Sequence, residues 1–278
     1  MKIADIMQEL EHLASFAPLE GERYATCMEA YEAASNQREK IIDWFAEDIV
    51  PALSSDHSQV LSIGCGAGDL DTEFLAAGSA RVSTLNYVGL EPDAQQCARF
   101  VAQMGSEEED GVSVEGHNAR FEDFEAERRF DLVLMVHSLY YMKDPKQAFE
   151  KACDFVDGDG RLAILIASND SLNELSSAFW ELEDREPTWF SEDLSEHLDR
   201  IEVPFERKRI EATLDVTDCC EPDSELGIRI SDFLAQVPTG RLPERLRGMI
   251  FSYLDETARL DRGKRWLPHN VDAFTITL

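Results

Sequence analysis

The chain has 278 residues, 44% of them hydrophobic, and carries 56 acidic against 26 basic residues for a formal net charge of −30. That balance excludes a nucleic-acid surface, because phosphate binding needs a basic face that releases counterions. No run approaches the roughly 18 apolar residues of a membrane span, so no membrane partner is expected.

The acidic field would gather small cations, which suits an amine ligand, although the same composition also makes a solvated or salt-adapted surface. The start of the chain, Met1-Lys2-Ile3-Ala4-Asp5, has no apolar signal core. Six cysteines are scattered without metal-type spacing, two of them adjacent. A reducing cytosol, a monomer and no metal are therefore expected.

Residues 1–58 read as a helical cap, with Ile3, Ile6, Met7, Leu10 and Leu13 at helical spacing and a longer helix near 37–49 stopped by Pro51. From 59 to 170 strands and helices alternate. Strands are expected at 60–63, 86–90, 112–116, 130–136 and 161–167, with helices near 69–77, 93–104, 120–126 and 145–155. An acidic loop at 107–110 is a solvated turn. Alternation of this kind predicts a mainly parallel sheet with helices on both faces. Residues 171–278 form a less regular elaboration of the same domain, with helices near 170–183, 191–199, 224–236 and 242–256. Strands near 205–213 and 271–277 close the sheet, with an antiparallel strand expected at its edge.

The most telling segment is Val60-Leu61-Ser62-Ile63-Gly64-Cys65-Gly66-Ala67-Gly68-Asp69, answered by Val88-Gly89-Leu90-Glu91-Pro92. An apolar run ending in alternating glycines lets the backbone turn and approach a ligand that a Cβ would push away. A second strand ending in a carboxylate places an acceptor for two ribose hydroxyls beside that loop. Dinucleotide loops present a helix N-terminus to a pyrophosphate, which Asp69 and Asp71 would repel. S-adenosylmethionine carries a sulfonium and an ammonium and no phosphate, so the acids point to it over NAD.

Leu61 to Asp69 resembles the loop of histamine N-methyltransferases, with Ser62 where most methyltransferases have an acid. Met135-Val136-His137-Ser138-Leu139-Tyr140-Tyr141 resembles that family's strand end with its double tyrosine. Asp215-Val216-Thr217-Asp218-Cys219, Asp232-Phe233-Leu234 and His269-Asn270 extend the likeness in order along most of the chain. The resemblance implies a Rossmann-like class I methyltransferase of α/β class. It also implies transfer from S-adenosylmethionine, leaving S-adenosylhomocysteine, to a ring nitrogen of a small imidazole-amine. By position Gly64, Gly66, Gly68 and Glu91 hold the methionine end and ribose, Gln96 makes a further ribose contact, Phe121 lies by the adenine and Val136 by the methyl.

The family's acceptor pocket uses a carboxylate, a glutamine and an asparagine. Pairing Tyr24 and Tyr31 with its N-terminal aromatics puts Gln37 at the carboxylate, His137 at the glutamine and Asn270 at the asparagine. A neutral Gln37 forgoes the charge-assisted bond a cationic ligand would receive. Arg38, if it faces the pocket, would bind an acidic acceptor, and otherwise pairs with an acid on the helix surface. Trp180, Trp189 and Phe190 are candidate walls. In-line methyl transfer chiefly needs the nitrogen lone pair held behind the methyl and water excluded. His137 would orient the acceptor or take its proton, and Tyr140 and Tyr141 would wall the site, their faces favouring the passing positive charge. Two other readings fit the same residues: a methyltransferase for a carboxylate or hydroxyl, and a cofactor-binding protein without catalysis.

Overall fold

The computed structural model describes residues 2–12, 17–105, 111–181, 188–221 and 223–278. Leu13, the acidic loop at 107–110 and Pro187 lie outside them. The described residues fall into two compact units. One comprises Glu39–Ala167, Trp189–Ile210 and Val271–Leu278, and the other Met1–Arg38, Ser168–Thr188 and Glu211–Asn270. The division differs from the boundaries expected after 58 and 170. Residues from Glu39 pack into the core beneath the sheet through Ile41, Trp44 and Phe45, whereas Ile6, Leu10 and Ala30 pack into a separate core.

The first unit holds a seven-stranded sheet. Its strands are β1 (His57–Ile63), β2 (Thr84–Leu90), β3 (Val112–His117), β4 (Phe130–Val136), β5 (Val156–Ala167), β6 (Phe205–Ile210) and β10 (Val271–Thr277), in the spatial order β3-β2-β1-β4-β5-β10-β6. Strands β1 to β5 pair in parallel, and β10 runs antiparallel to both neighbours. The order reverses between β1 and β4, so a crevice opens beyond their carboxyl ends, where ligands of such sheets bind.

The reversed strand is not the outermost one, as the sequence had suggested. Val271, Asp272, Ala273, Phe274 and Ile276 of β10 are buried, so that strand needs a neighbour on each side. Glu206, Arg207, Lys208 and Arg209 of β6 are exposed, and charged side chains are what an edge strand tolerates. Arg207 reaches back to Asp272 at 2.7 Å and stacks over Phe274.

Helix α3 (Gln37–Trp44) is shorter than expected, because the chain loosens into a π turn at Phe45–Ile49 before Pro51. Helices α4 (Asp69–Ser79), α5 (Ala94–Met104), α6 (Pro145–Phe155) and α8 (Ser191–Arg200) cover the sheet. Asp93 caps α5 through the amides of Gln95 and Gln96, and Asp144 caps α6 ahead of its Pro145. The helix expected near 120–126 is a single turn, Phe121–Asp123.

The second unit has its own core under α1 (Ile3–Leu10), α2 (Gly21–Ala33), α7 (Ser171–Glu181), α9 (Glu225–Ala235) and α10 (Glu244–Thr257). It includes a small antiparallel sheet of β7 (Thr213–Asp215), β8 (Arg259–Asp261) and β9 (Lys264–Pro268). The strand expected over 205–213 therefore divides, since Ile210 ends β6 and Thr213 opens β7. The β8–β9 hairpin turns on Arg262 and Gly263, both left-handed. None of the described helices is long and apolar enough to cross a membrane.

Candidate active site

Gly64, Gly66 and Gly68 take φ of +73°, +57° and +89°. The loop folds back on β2, with the amides of Gly64 and Cys65 donating to the Leu90 carbonyl at 2.8 and 3.2 Å. A Cβ on Gly64 would lie 2.6 Å from that of Ser138, and one on Gly68 would lie 2.8 Å from the Phe100 ring. A Cβ on Gly66 would meet nothing within 4 Å. The loop is thus wedged at both ends and open in the middle, a cradle whose empty side a side chain would fill.

Glu91 follows β2 and addresses this loop. Its carboxylate accepts from the Gly66 amide at 3.0 Å and the Asp93 amide at 2.9 Å. Asn118, which sequence reasoning missed, latches the same turn by donating to the carbonyls of Glu91 and Pro92 at 3.0 and 2.9 Å. On the first turn of α5, Gln96 holds its Oε1 buried without a hydrogen-bond partner, which an incoming hydroxyl would satisfy. Asp69 and Asp71 sit in the first turn of α4. A cradle flanked by carboxylates fits a cationic, phosphate-free ligand. Phe121 is 3% exposed, packed on Phe155 at 6.1 Å with Lys151 over its ring.

Next to β1, β4 delivers Val136 and His137. Val136 is half-buried and pairs with Leu165. His137 is left-handed at φ 51°, held by its amide on the Leu165 carbonyl at 2.9 Å, and strain of this kind gathers at functional positions. Burial pushes the His137 imidazole down to about 4, so the ring is neutral at pH 7. Tyr140 lies 6.1 Å from it, and Tyr141, 70% exposed, packs edge-on against Tyr140 at 4.8 Å. Between them Ser138 was not foreseen, and its buried Oγ has no hydrogen-bond partner.

A neutral His137 has a measurable signature. In an NMR titration its ring is expected to remain unprotonated down to about pH 5, with a midpoint near 4 in place of the usual ~6.5. Because the folded value is the lower one, the stability it confers is complete above pH ~6.5 and is lost as pH falls towards 4. His137→Gln should flatten that part of the acid-unfolding profile. A midpoint above 6 would contradict the burial.

Tyr24, Tyr31, Gln37, Arg38 and Asn270 belong to the second unit. Tyr24 and Tyr31 pack on Phe233 at 5.6 and 4.6 Å. His269, 9% exposed, is gripped at both ring nitrogens, by Tyr31 Oη and Ser35 Oγ at 2.6 Å each. Gln37 is 8% exposed and donates to the His269 carbonyl at 2.8 Å, which makes it a brace for this segment. Arg38 is exposed. Asn270 accepts from the Ala212 amide at 3.2 Å through Oδ1, and its carbonyl from Ser168 Oγ at 3.3 Å. Nearby, burial raises Asp170 to about 6. Of the aromatic candidates, Trp189 packs on His197 at 5.3 Å.

A methyltransferase domain family model matches residues 33–201, more than half of the chain. The histamine N-methyltransferase of Danio rerio is 23% identical over 259 residues, spanning 84% of this chain and 87% of that protein. That of Bos taurus is 27% identical over 193 residues, 64% of this chain and 66% of the relative. Among solved structures, the YcgJ protein of Bacillus subtilis superposes with a TM-score of 0.55 at 13% identity, covering 87% of this chain and 97% of that one. The last of these likenesses bears on the fold alone.

Proposed function

The chain belongs to the methyltransferase domain family, and from that premise we propose that it moves the methyl group of S-adenosylmethionine to a nitrogen of a small imidazole- or amine-containing molecule. Methyl donation from S-adenosylmethionine is the family chemistry, and bound S-adenosylmethionine supplies an electrophilic methyl on a sulfonium. Gly64, Gly66 and Gly68 admit the methionine end against bare backbone. Glu91 turns from the Gly66 amide to the ribose hydroxyls, with Gln96 offering its unpaired oxygen alongside. Val136 lines the methyl side.

The observation that carries the acceptor class is the end of β4, where a neutral imidazole stands beside two tyrosines on the strand adjoining the glycine loop. A neutral ring nitrogen accepts an N–H from the acceptor, which fixes that molecule's other lone pair and provides a place for the departing proton. Tyr140 and Tyr141 present aromatic faces to the charge that passes from sulfur to nitrogen. The vertebrate relatives named for histamine support the same class. An acidic acceptor needs Arg38 turned inward, and Arg38 is exposed. The protein works as a monomer in a reducing cytosol.

Calorimetric titration with S-adenosylmethionine, then methyl transfer to histamine, histidine and a panel of amines and acids, tests the reading. Micromolar donor binding with turnover of an imidazole compound is the expected result. Turnover restricted to carboxylates or hydroxyls would replace the acceptor class, and donor binding with no turnover across the panel would favour a regulatory protein.

A further inference from the structure

Ser62, Asp71 and Tyr87 form a hydrogen-bonded group beneath the glycine loop. They are 5%, 7% and 1% exposed. Tyr87 Oη donates to Asp71 Oδ1 at 2.7 Å, and the Ser62 hydroxyl stands near enough to hold the same carboxyl's pKa down. Ser62 stands two residues before Gly64, and Asp71 three after Gly68. The carboxyl therefore ties the far end of the loop to the middle of β2 and faces Ser62 at its near end.

An asparagine would serve such a tie nearly as well. What a carboxyl adds is charge, and among the described residues no lysine or arginine pairs with Asp71. Burial pushes its pKa up, against the pull of the two hydroxyls, so a cation nearby would favour its ionised form. The donor is such a cation. Its sulfonium becomes a neutral thioether once the methyl has left, and the two molecules are otherwise alike.

We infer that Ser62, Asp71 and Tyr87 are positioning residues of the donor loop, and that the buried carboxylate sets the preference for the sulfonium donor over its neutral product. The inference rests on the donor assignment above. A charge that attracts the donor and is indifferent to the thioether also favours product release, so the effect belongs in donor KM, with kcat largely kept.

The titratable groups that act on Asp71 are Tyr87 on β2, Cys65 at the loop and Asp69 on α4. Exposed Glu47 and Asp48 lie on the turn before β1. Burial pushes both Tyr87 and Cys65 up, so neither ionises near neutrality. In the wild type the ratio of S-adenosylmethionine to S-adenosylhomocysteine affinity should accordingly rise with pH as Asp71 ionises.

Calorimetry with both molecules on the whole protein, with thermal melts in parallel, decides the matter. Asp71→Asn is expected to weaken S-adenosylmethionine about tenfold and S-adenosylhomocysteine less than about threefold, and to make their ratio independent of pH. Tyr87→Phe, which keeps the charge and removes one tie, should weaken both to the same extent. Parallel losses in Asp71→Asn, or a wild-type ratio flat across the whole pH range in which the protein stays folded, would overturn the inference. The wild-type ratio decides it even if Asp71→Asn fails to fold. If the wild type binds neither molecule, the donor assignment itself fails and takes this inference with it.

Discussion

Gly64→Ala should lose donor binding by on the order of 100-fold and methyl transfer with it. Two costs combine. At φ +73° an L side chain is strained, worth about 1 kcal/mol. The new methyl would also stand 2.6 Å from Ser138 Cβ, an atom fixed to the backbone of a residue that is itself 4% exposed. Neither β1 nor β4 can retreat, since Val60, Leu61 and Ser62 are paired in register with Leu132, Val133 and Leu134. The loop must move, and it is the loop we propose for the donor. Removing the obstacle should restore part of the loss, so the double variant Gly64→Ala/Ser138→Gly is expected to recover at least about tenfold in affinity. Calorimetry on the four proteins gives the coupling directly. Donor affinity of Gly64→Ala within threefold of wild type would show that the wedge does not govern the cradle.

Gly227→Ala is expected to be the most destabilising of these single substitutions, by more than about 3 kcal/mol. Its Cβ would fall 2.0 Å from the Asp218 carbonyl oxygen and 2.3 Å from the carbon behind it. Both atoms belong to backbone. The turn that carries them, Asp218–Cys220, is bound to the start of α9, because Ser224 Oγ donates to Asp218 Oδ1 at 2.7 Å and accepts from the Gly227 amide at 3.1 Å. Helix and turn would have to separate, breaking that cap and opening the core around Cys219 and Ile230. A melting temperature lower by roughly 6–12 °C follows for a chain of this size. Urea unfolding with a change under 1 kcal/mol would mean the turn yields more easily than these contacts allow.

How legible the protein was varies along the chain, for physical reasons. Strands β4 and β10 and helix α6 stood out to the residue. An apolar run bounded by Asp144-Pro145 or by His269-Asn270 carries its own limits, whether from a capping side chain, a proline or a turn. The donor loop was equally plain, since glycine spacing and a carboxylate two dozen residues on are local features of the chain. The packing of Phe121 was not legible, because a phenylalanine before a turn has the same sequence signature whether its ring is exposed or, as here, buried against Phe155. Gln37 and Arg38 are neighbours, and no local pattern tells which turns inward. The bond from Gln37 to the His269 carbonyl joins residues 232 apart in sequence.

By itself the sequence determined the alternation of strands and helices, the glycine cradle with its answering acid, and the acidic character that turns phosphate ligands away. These follow from hydrophobic periodicity, from the φ angles only glycine takes freely, and from charge, all of which act over a few residues or over the whole composition. Tertiary structure alone decided that β10 lies inside the sheet under a charged edge strand, that His137 is neutral, and that Asp71 shares its carboxyl with Ser62 and Tyr87. Each of those depends on which distant segments exclude water from a group, and burial is a property of the packed chain that no stretch of residues specifies on its own.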